Sequence, residues 1–410
     1  MTSNLFDNDR VAAWLDQFEA GDRSNARLML SAVKLVSADE FTDAMMGALD
    51  DLAANGKKLA LYNETERPRR NGRPHRLFKE TTTKVKRATG NGPALVPRQR
   101  QVDESVGSEG VVATLISQFK KTNSSLVDLN PGPNVIRARN SRHFVLVTDF
   151  IGSGQRAVDF LDAAWRVRST RSWWSRRSRA GLSFDVVAFA GTIRGIDRVE
   201  KHPSKPKVHV VLICPTVQQV FSGPQAAAIE ALCLKYVPSR LADEALGFQR
   251  TGALIGFSHS MPNNAPAILW KKFGKWKPLF PSRVTTSSGS PFRAATAPEE
   301  QQRRLETIVG LQPSAKPLEP VTLDFIVLAT LCRGSRQNEA ISGRLGVSIS
   351  DIDQALSALQ SLSLIDNRNQ LTEKGRQVVK QLKKTPDPKV LPKTGKGDYF
   401  PSSLRVPHVF

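Results

Sequence analysis

The chain has 410 residues, of which 40% are hydrophobic, and it carries a formal net charge of +21 at pH 7. This length exceeds that of a typical single domain and predicts two or three domains, while three cysteines exclude a disulfide-rich secreted scaffold. No apolar run reaches the roughly 20 residues of a membrane-spanning helix, and residues 1–10 contain acidic side chains without an apolar signal core. We therefore expect a cytoplasmic protein without a membrane span and with a polyanionic partner.

Three stretches with apolar residues at helical spacing occupy the first 55 residues. They run from Val11 to Phe18, from Ala26 to Val36 and from Phe41 to Leu52, and Ser37 is placed to cap the third. The spacing predicts an N-terminal helical region over residues 1–55, whose apolar faces belong to the core and carry no chemistry.

A strongly basic segment follows a short run from Lys58 to Tyr62 that predicts the first strand. Between Arg67 and Arg100 there are eleven Lys and Arg residues and one acidic residue, Glu80. The segment is rich in Gly and Pro, which favours a mobile surface loop. Its cations either contact the backbone of a nucleic acid or form a solvated charged insertion. The candidate contacts are Arg67, Arg69, Arg70, Arg73, Arg76, Lys84, Lys86 and Arg87.

The stretch from Phe144 to Ala157 organises the middle of the chain. An unbroken apolar run, typical of a buried parallel strand, passes through Thr148 and Asp149 into a Gly-Ser-Gly turn, and an amphipathic helix follows. Free N–H groups at the start of that helix can hold a phosphate, and Asp149 is placed to meet sugar hydroxyls or a metal ion. The alternative is an ordinary strand-to-helix turn.

These residues resemble the sugar-phosphate loop of the phosphoribosyltransferase family, in which a strand with two acidic residues leads into a Thr-Gly-x-Thr turn. In this chain Thr148 takes the first acidic position, Asp149 the second, Ser153 and Gly154 the Thr-Gly pair, and Arg156 the last Thr. Thr148 therefore removes a carboxylate, and Arg156 replaces a hydroxyl with a charged donor. The resemblance implies that Asp149 and Thr148 are catalytic and that a 5′-phosphate is held by the loop residues Ile151, Gly152, Ser153, Gly154, Gln155 and Arg156.

The same resemblance assigns further contacts with the substrate. A Gly-flanked turn upstream would grip pyrophosphate, and it consists of Gly107, Ser108, Glu109 and Gly110. Glu109 is an unfavourable charge for an anion unless Mg²⁺ intervenes, and we expect Mg²⁺ to reach Asp149 through the substrate. The implied substrate is phosphoribosyl diphosphate or a nucleotide.

Further apolar runs predict the rest of an α/β sheet. Ser124 to Leu129, Ser183 to Ala190 and Lys207 to Cys214 each predict a strand, and their alternation with helices favours a parallel arrangement. The turn from Gly191 to Gly195 lies at a strand end, where it could form a third ligand loop.

Arginine and tryptophan are interleaved between residues 166 and 179, where six arginines and two tryptophans occur without an acidic residue. Such a segment suits phosphate contacts combined with base stacking, but a helix that buries its tryptophans and solvates its arginines would have the same composition. The candidate nucleic-acid contacts are Arg171, Trp173, Trp174, Arg176, Arg177 and Arg179.

A predicted strand from Gly252 to His259 leads into a Pro-Asn-Asn segment. Together with the loop above and the N-terminal helices, it resembles the conflict-system branch of phosphoribosyltransferase-like proteins, which is found beside bacterial antiphage modules including retrons. The likeness covers roughly residues 1–283. It implies base or hood contacts for His259, Asn263, Asn264 and Trp270. Alternatively, the asparagines satisfy a turn and the tryptophan fills the core.

A small second domain follows a Ser-, Pro- and Ala-rich linker at residues 284–320. Three apolar-faced helices, a short hairpin and a last helix predict a winged helix-turn-helix over residues 321–385, with a flexible tail at residues 386–410. The groove-facing helix carries Asp351 and Asp353 without Lys or Arg, which disfavours DNA reading by that helix. Protein docking, or nucleic-acid contact through Arg368 and the lysines at the far end of this domain, is an equal alternative.

The sequence therefore predicts a type I phosphoribosyltransferase-like parallel sheet over residues 56–283, between the N-terminal helical region and the winged helix. The favoured hypothesis is an antiphage defence effector, a toxin restrained by a nucleoprotein partner such as a retron reverse transcriptase with its DNA. It allows a homo-oligomer. The alternative is a catalytically inactive nucleotide sensor or nucleic-acid-binding adaptor, which the missing carboxylate at Thr148 motivates.

Overall fold

A computed structural model describes residues 5–96, 107–179, 182–285, 298–310, 322–332, 334 and 336–383. The N-terminal region contains the helices α1 (Asp9–Leu15), α2 (Arg23–Ser31) and α3 (Ala38–Ala53). Ser37 caps α3 as predicted, because its side chain accepts a hydrogen bond from the Glu40 N–H. The helical prediction was wrong beyond Ser31, where Lys34–Val36 forms strand β1.

The basic segment folds into two short antiparallel hairpins after strand β2 (Leu59–Asn63). We call residues 67–96 the basic arm. Its hairpin strands are β3 (Arg69–Arg70), β4 (Arg73–Pro74), β5 (Lys79–Glu80) and β6 (Ala88–Thr89). The prediction of a surface loop was wrong for this part of the chain, because Leu77, Phe78 and Ala88 are buried and anchor the hairpins. Arg98 and Arg100 lie outside the described residues.

Helices and strands alternate through the rest of the first domain, as predicted. In chain order they are α4 (Ser108–Thr122), β7 (Val127–Leu129), α5 (Pro133–Arg139), β8 (His143–Ile151), α6 (Gln155–Trp165), α7 (Arg168–Ser175), β9 (Ser183–Gly191), α8 (Ile193–Glu200), β10 (Lys207–Ile213), α9 (Val217–Val220), α10 (Gly223–Lys235), β11 (Ile255–Phe257) and α11 (Ala267–Trp270).

The main sheet has five parallel strands in the order β10, β9, β8, β2, β7. This order confirms the predicted α/β class. It changes direction between β2 and β8, and ligands of open α/β sheets bind outside the carboxyl ends of the strands at such a switch point. Strand β11 does not join this sheet but pairs in parallel with β1.

Apolar side chains cover both faces of the sheet. One face packs against α3 and α4, which contribute Phe41 and Phe119. The other packs against α6, where Phe160 lies beside Tyr62 and Phe144, whose rings stack at 4.1 Å. Burial on both sides explains why the strands appear in the sequence as unbroken apolar runs.

The C-terminal part contains α12 (Pro298–Val309), α13 (Leu323–Leu331), α14 (Asn338–Leu345), α15 (Ile349–Ser361) and α16 (Glu373–Lys383). Ile365 and Leu371 form an antiparallel bridge at the predicted wing, so the winged helix is confirmed. Helix α14 lies against the edge strand β10, where the Ile213 N–H donates to Ser342 Oγ at 3.0 Å. The predicted tail at 386–410 lies outside the described residues.

Candidate active site

A cavity of about 570 Å³ lies at the carboxyl ends of the sheet strands, beside the switch point between β2 and β8. It brings together most of the predicted substrate-binding residues. Its lining includes Glu64, Glu66, Arg67, Gly107, Ser108, Asp149, Ile151, Gly152, Ser153, Gly154, Gln155, Arg156, His259, Asn263 and Asn264.

The predicted sugar-phosphate loop connects β8 to α6 through backbone that packs too closely for side chains. A Cβ on Gly152 would lie 2.2 Å from Asn264 Oδ1, and a Cβ on Gly154 would lie 2.6 Å from the Gly195 carbonyl oxygen. Gly154 also has a positive φ of 73° as the N-cap of α6, a conformation that glycine adopts without strain. The N–H groups of the first helical turn lack intrahelical acceptors, and that of Gln155 makes only a long contact of 3.4 Å with Ser153 Oγ, so this end of the helix can accept an anion.

The turn predicted as a third ligand loop instead supports the sugar-phosphate loop. Thr192 Oγ1 donates to the Gly152 carbonyl oxygen at 2.6 Å, and a Cβ on Gly195 would lie 2.3 Å from the same oxygen. From α8, Arg198 donates to the Ser153 carbonyl oxygen at 3.4 Å and also bonds the Gln155 side chain. These contacts hold the backbone of the sugar-phosphate loop in position.

Asp149 and His259, which are 110 positions apart, meet in the cavity. His259 Nε2 lies 3.0 Å from Asp149 Oδ2, and the imidazole stacks on Phe257 with a centroid distance of 5.1 Å. Burial would raise the pKa of Asp149, but the hydrogen bond and charge of His259, with the nearby Arg156, hold that pKa below its ordinary value. Asp149 is therefore a carboxylate that His259 holds in a fixed orientation.

A second carboxylate comes from Glu64, which sequence reasoning had not assigned to the site. Thr148 Oγ1 donates to Glu64 Oε2 at 2.7 Å. Thr148 occupies the first acidic position of the phosphoribosyltransferase pattern, and it binds the carboxyl group of Glu64 at this position. Glu64 is buried, and this burial raises its pKa. Its position directly after the first sheet strand could have revealed it, because carboxyl ends of parallel strands meet at one edge.

Arg156 joins the sugar-phosphate loop to the predicted pyrophosphate turn. Its Nη2 lies 2.8 Å from Glu109 Oε1, and its Nε lies 3.8 Å from Glu64 Oε2. Partial burial opposes the arginine's charge, but the charges of Glu64 and Glu109 raise its pKa above the ordinary value. Gly107 caps α4 and lines the cavity with Ser108, whereas Glu109 is buried beneath them.

The four predicted base or hood residues separate into two groups. His259 and the exposed Asn263 line the cavity. Asn264 also borders it, but its Nδ2 donates to Thr251 Oγ1 at 2.9 Å and to the Phe248 carbonyl oxygen at 3.3 Å. Trp270 donates to the Ala265 carbonyl oxygen at 3.0 Å and does not line the cavity. The alternative interpretation, in which the asparagine satisfies a turn and the tryptophan packs against the core, therefore describes Asn264 and Trp270 better.

Comparison with family models decides the relationship of the chain. The model described as PRTase-CE matches residues 11–282, and the model described as wHTH-PRTase associated matches residues 325–406. The chain belongs to the PRTase-CE family. Comparisons with curated proteins and with solved structures returned no match. The PRTase-CE match contains Asp149, the sugar-phosphate loop and His259, and the second match includes most of the winged helix.

The tryptophans of α7 pack against the PRTase-CE domain. Trp174 Nε1 donates to the Ser204 carbonyl oxygen at 2.6 Å, and its ring meets Trp165 edge-on at 5.3 Å. Trp173 is half-buried beside Arg137. These contacts match the alternative of a helix that buries its tryptophans. The exposed residues of the predicted set are Arg171, Arg176, Arg177 and Arg179.

The sequence analysis predicted that Mg²⁺ reaches Asp149 through the substrate. Within the described residues there is no group of three or more His, Cys, Asp or Glu side chains arranged to hold a metal ion. Asp149 lines the cavity together with Glu64 and Glu66. Among the described residues, no helix combines the length and the apolar composition of a membrane span.

Proposed function

We propose that the chain is an enzyme of the phosphoribosyltransferase type that acts at ribose C1 of phosphoribosyl diphosphate or a nucleotide. The observation that supports this most strongly is the contact of Asp149 with His259 beside the Gly152–Arg156 backbone, at the switch point of the sheet. A charged carboxylate next to free helix N–H groups suits a sugar and its phosphate together.

Each part of the cavity has a role in this proposal. Asp149 steadies the ribose hydroxyls, and His259 orients it. The N–H groups from Ile151 to Arg156 hold the 5′-phosphate, and the turn at Gly107 and Ser108 receives the departing pyrophosphate. Fixed donors that face developing charge supply the main catalytic effect, with little acid–base work. Mg²⁺, when bound through the substrate, would neutralise phosphate charge beside Asp149.

Glu64 completes this arrangement. Because Thr148 holds the Glu64 carboxyl at 2.7 Å, the site retains two carboxyl groups although the family's first acidic position carries a threonine. This offsets the argument from sequence that the site is degenerate.

In the cell, we propose that this activity makes the protein an antiphage effector whose toxicity is restrained by a nucleoprotein partner, such as a retron reverse transcriptase with its DNA. The pairing of a PRTase-CE domain with a winged helix from a model named for that association supports a regulated two-part protein. The charge of +21 supports a polyanionic component in the partner.

Asp149→Asn tests the enzymatic proposal. We expect loss of pyrophosphate or free-base release and loss of toxicity in expressing cells, with folding unchanged, because the amide keeps the size of the side chain but not its charge. Asp197→Asn is the matched control, since Asp197 is an exposed residue outside the cavity. Full activity and toxicity in the Asp149 variant would reject the proposal.

A nucleotide sensor or adaptor without turnover is the second candidate. The contact that favours it is the engagement of Arg156 by Glu64 and Glu109, which occupies a cation that would otherwise meet phosphate. This candidate predicts saturable binding of nucleotide by calorimetry with no product released. Measurable turnover of any tested nucleotide that Asp149→Asn abolishes would exclude it.

A further inference from the structure

A second cavity, of about 1190 Å³, opens on the basic arm. It is larger than the candidate active site and is formed almost entirely by the arm, with one residue from the end of α6. Its lining consists of Arg70, Asn71, Arg73, His75, Arg76, Leu77, Phe78, Lys79, Glu80, Gly90, Asn91 and Arg166.

The charges around this cavity are mostly cationic and uncompensated. The side chains of Arg70, Arg73 and Lys79 are exposed and have no ion-pair or hydrogen-bond partner among the described residues. The single acid of the lining, Glu80, is already engaged by Arg76 at 3.0 Å and by the Arg168 N–H at 2.7 Å. An anion entering the cavity would therefore meet free cations and no free carboxylate.

Hydrogen bonds and aromatic packing attach the basic arm to the rest of the first domain. The Leu77 N–H donates to the Ala163 carbonyl oxygen of α6 at 2.8 Å, and the Ala88 N–H donates to Ser169 Oγ at 2.8 Å. Phe78 packs 6.4 Å from Tyr62, and Arg166 bonds the Pro74 carbonyl oxygen. Because the arm is tied to α6, which follows the sugar-phosphate loop, the cavity keeps its position relative to the candidate active site.

Consecutive residues of strand β3 line the two cavities. Arg69 lines the candidate active site, with its Nη2 3.3 Å from Asp159 Oδ1, while its neighbour Arg70 on strand β3 lines the arm cavity. A chain of phosphates lying along β3 would thus pass from one cavity to the other.

We propose that the arm cavity binds the phosphate backbone of a single-stranded nucleic acid and leads it toward the candidate active site. The binding claim stands on the arm alone, whereas delivery of a strand for reaction rests on the function proposed above. A concave cavity of this size encloses a few nucleotides but not a duplex. The groove-facing helix α15 of the winged helix exposes Asp351 and Asp353 and no cation, which leaves the arm as the better backbone contact.

Fluorescence anisotropy with a labelled 20-nucleotide single strand tests the claim, with DNA and RNA strands and a duplex of equal length as separate arms. We expect Arg70→Ala/Arg73→Ala/Lys79→Ala in the full chain to weaken single-strand binding at least about tenfold. We also expect the slope of log affinity against log salt to fall by about 2, since each phosphate contact on a single strand contributes about 0.7.

The matched control is Lys374→Ala/Arg376→Ala/Lys380→Ala in α16, which removes the same charge from exposed positions of the winged helix. Equal loss in both triple variants, or tighter binding of the duplex than of the single strand by the unmodified chain, would overturn the proposal. So would competition by free ATP at equal phosphate concentration, because the cavity would then be a site for small polyphosphates.

The binding measurement is repeated with Asp149→Asn. Unchanged strand binding in this variant shows that the arm acts independently of catalysis. If the arm binds a strand while no enzymatic turnover is found for any substrate, the function proposed above fails and the binding claim stands. If turnover is found but the arm variant binds the strand normally, the binding claim fails and the function proposed above stands.

Discussion

Two Asp–His clusters lie at opposite ends of the main sheet and differ in what surrounds them. At the carboxyl ends, Asp149 meets His259 in a cavity lined by glycines and further carboxylates. At the amino ends, Asp185 accepts from His143 at 3.3 Å and from His209 at 3.1 Å, on residues near the starts of β8, β9 and β10.

The difference shows that an Asp–His contact is not by itself an active site. In both clusters the histidines lower the pKa of the aspartate against the opposing effect of burial. Only Asp149 lies beside a helix N-terminus and a switch point, where substrate can approach. Asp185 instead bridges two histidines on neighbouring strands, and we interpret it as a stabilising contact.

The largest expected effect is on the turnover rate, which should depend on the carboxyl-end cluster and not on the amino-end cluster. His259→Ala should lower the turnover rate about 100-fold, because Asp149 loses the partner that fixes its orientation. His209→Ala, at the other end of the sheet, should leave turnover unchanged. Steady-state kinetics with purified proteins measures both, and equal losses in the two variants would mean that position in the sheet does not matter.

Gly152→Ala should break the carboxyl-end site through packing. Its Cβ would lie 2.2 Å from Asn264 Oδ1, so the loop or the asparagine must shift, at a cost of roughly 1–3 kcal/mol of unfolding free energy. Gly47→Ala in α3 is the control, since no atom outside the adjacent backbone of its own helix lies within 4 Å of its added Cβ. Urea unfolding of both variants gives the comparison, and a fully stable Gly152→Ala would contradict the close packing.

The contribution of the amino-end cluster to the unfolding free energy should be measurable at acid pH. The histidine contacts lower the pKa of Asp185 from 3.8 to about 2, so this stabilisation is complete above about pH 4 and is lost as the pH falls toward 2. Asp185→Asn should lower the unfolding free energy by about 2 kcal/mol at pH 5. At pH 2 the variant and the unmodified chain should converge, and denaturant titrations at the two pH values test this.

Arg156→Gln should have the smallest effect, about 1 kcal/mol, because almost half (47%) of the Arg156 side chain is exposed and solvent screens its charge. The pKa of Glu64 is already raised by burial and should rise further without the arginine. A raised carboxyl pKa favours the folded state at low pH, so the variant should lose stability relative to the unmodified chain as the pH rises from 4 to 7. A deficit that does not grow with pH would argue against the pairing.

Sequence predicted those parts of the fold that local patterns determine. The strands around Tyr62, Val147 and Val187 are buried on both faces, and their apolar runs are unambiguous. The helices of the winged helix lie within two residues of the ends that their sequence pattern predicts, which are Asp324 to Cys332, Gln337 to Leu345, Asp351 to Leu362 and Glu373 to Lys383. The pairing of β1 with β11 was missed because it joins Lys34 to Ile255, and no local pattern indicates a partner so distant in the chain.

The structure places the predicted loop residues and His259 in one cavity, together with Glu64, which the sequence had not indicated. Asp149 and the glycines after it were recognisable together, whereas the Thr148 contact with Glu64 depends on how two strands align in the sheet. The arm was predicted as a loop because strands of two residues have no periodicity, and its anchoring by Leu77 and Phe78 depends on tertiary contacts.

The docking of the winged helix has a consequence for the integrity of the whole chain. Strand β10 is the outermost strand of the sheet, and α14 covers it through Ser342, while Arg304 of α12 donates to the Leu345 and Ala32 carbonyl oxygens at 2.7 and 3.1 Å. Deleting the C-terminal domain would uncover a strand edge able to pair with other chains and aggregate. The two family regions should therefore denature in one cooperative transition, and proteases should find few cuts that release an intact PRTase-CE domain.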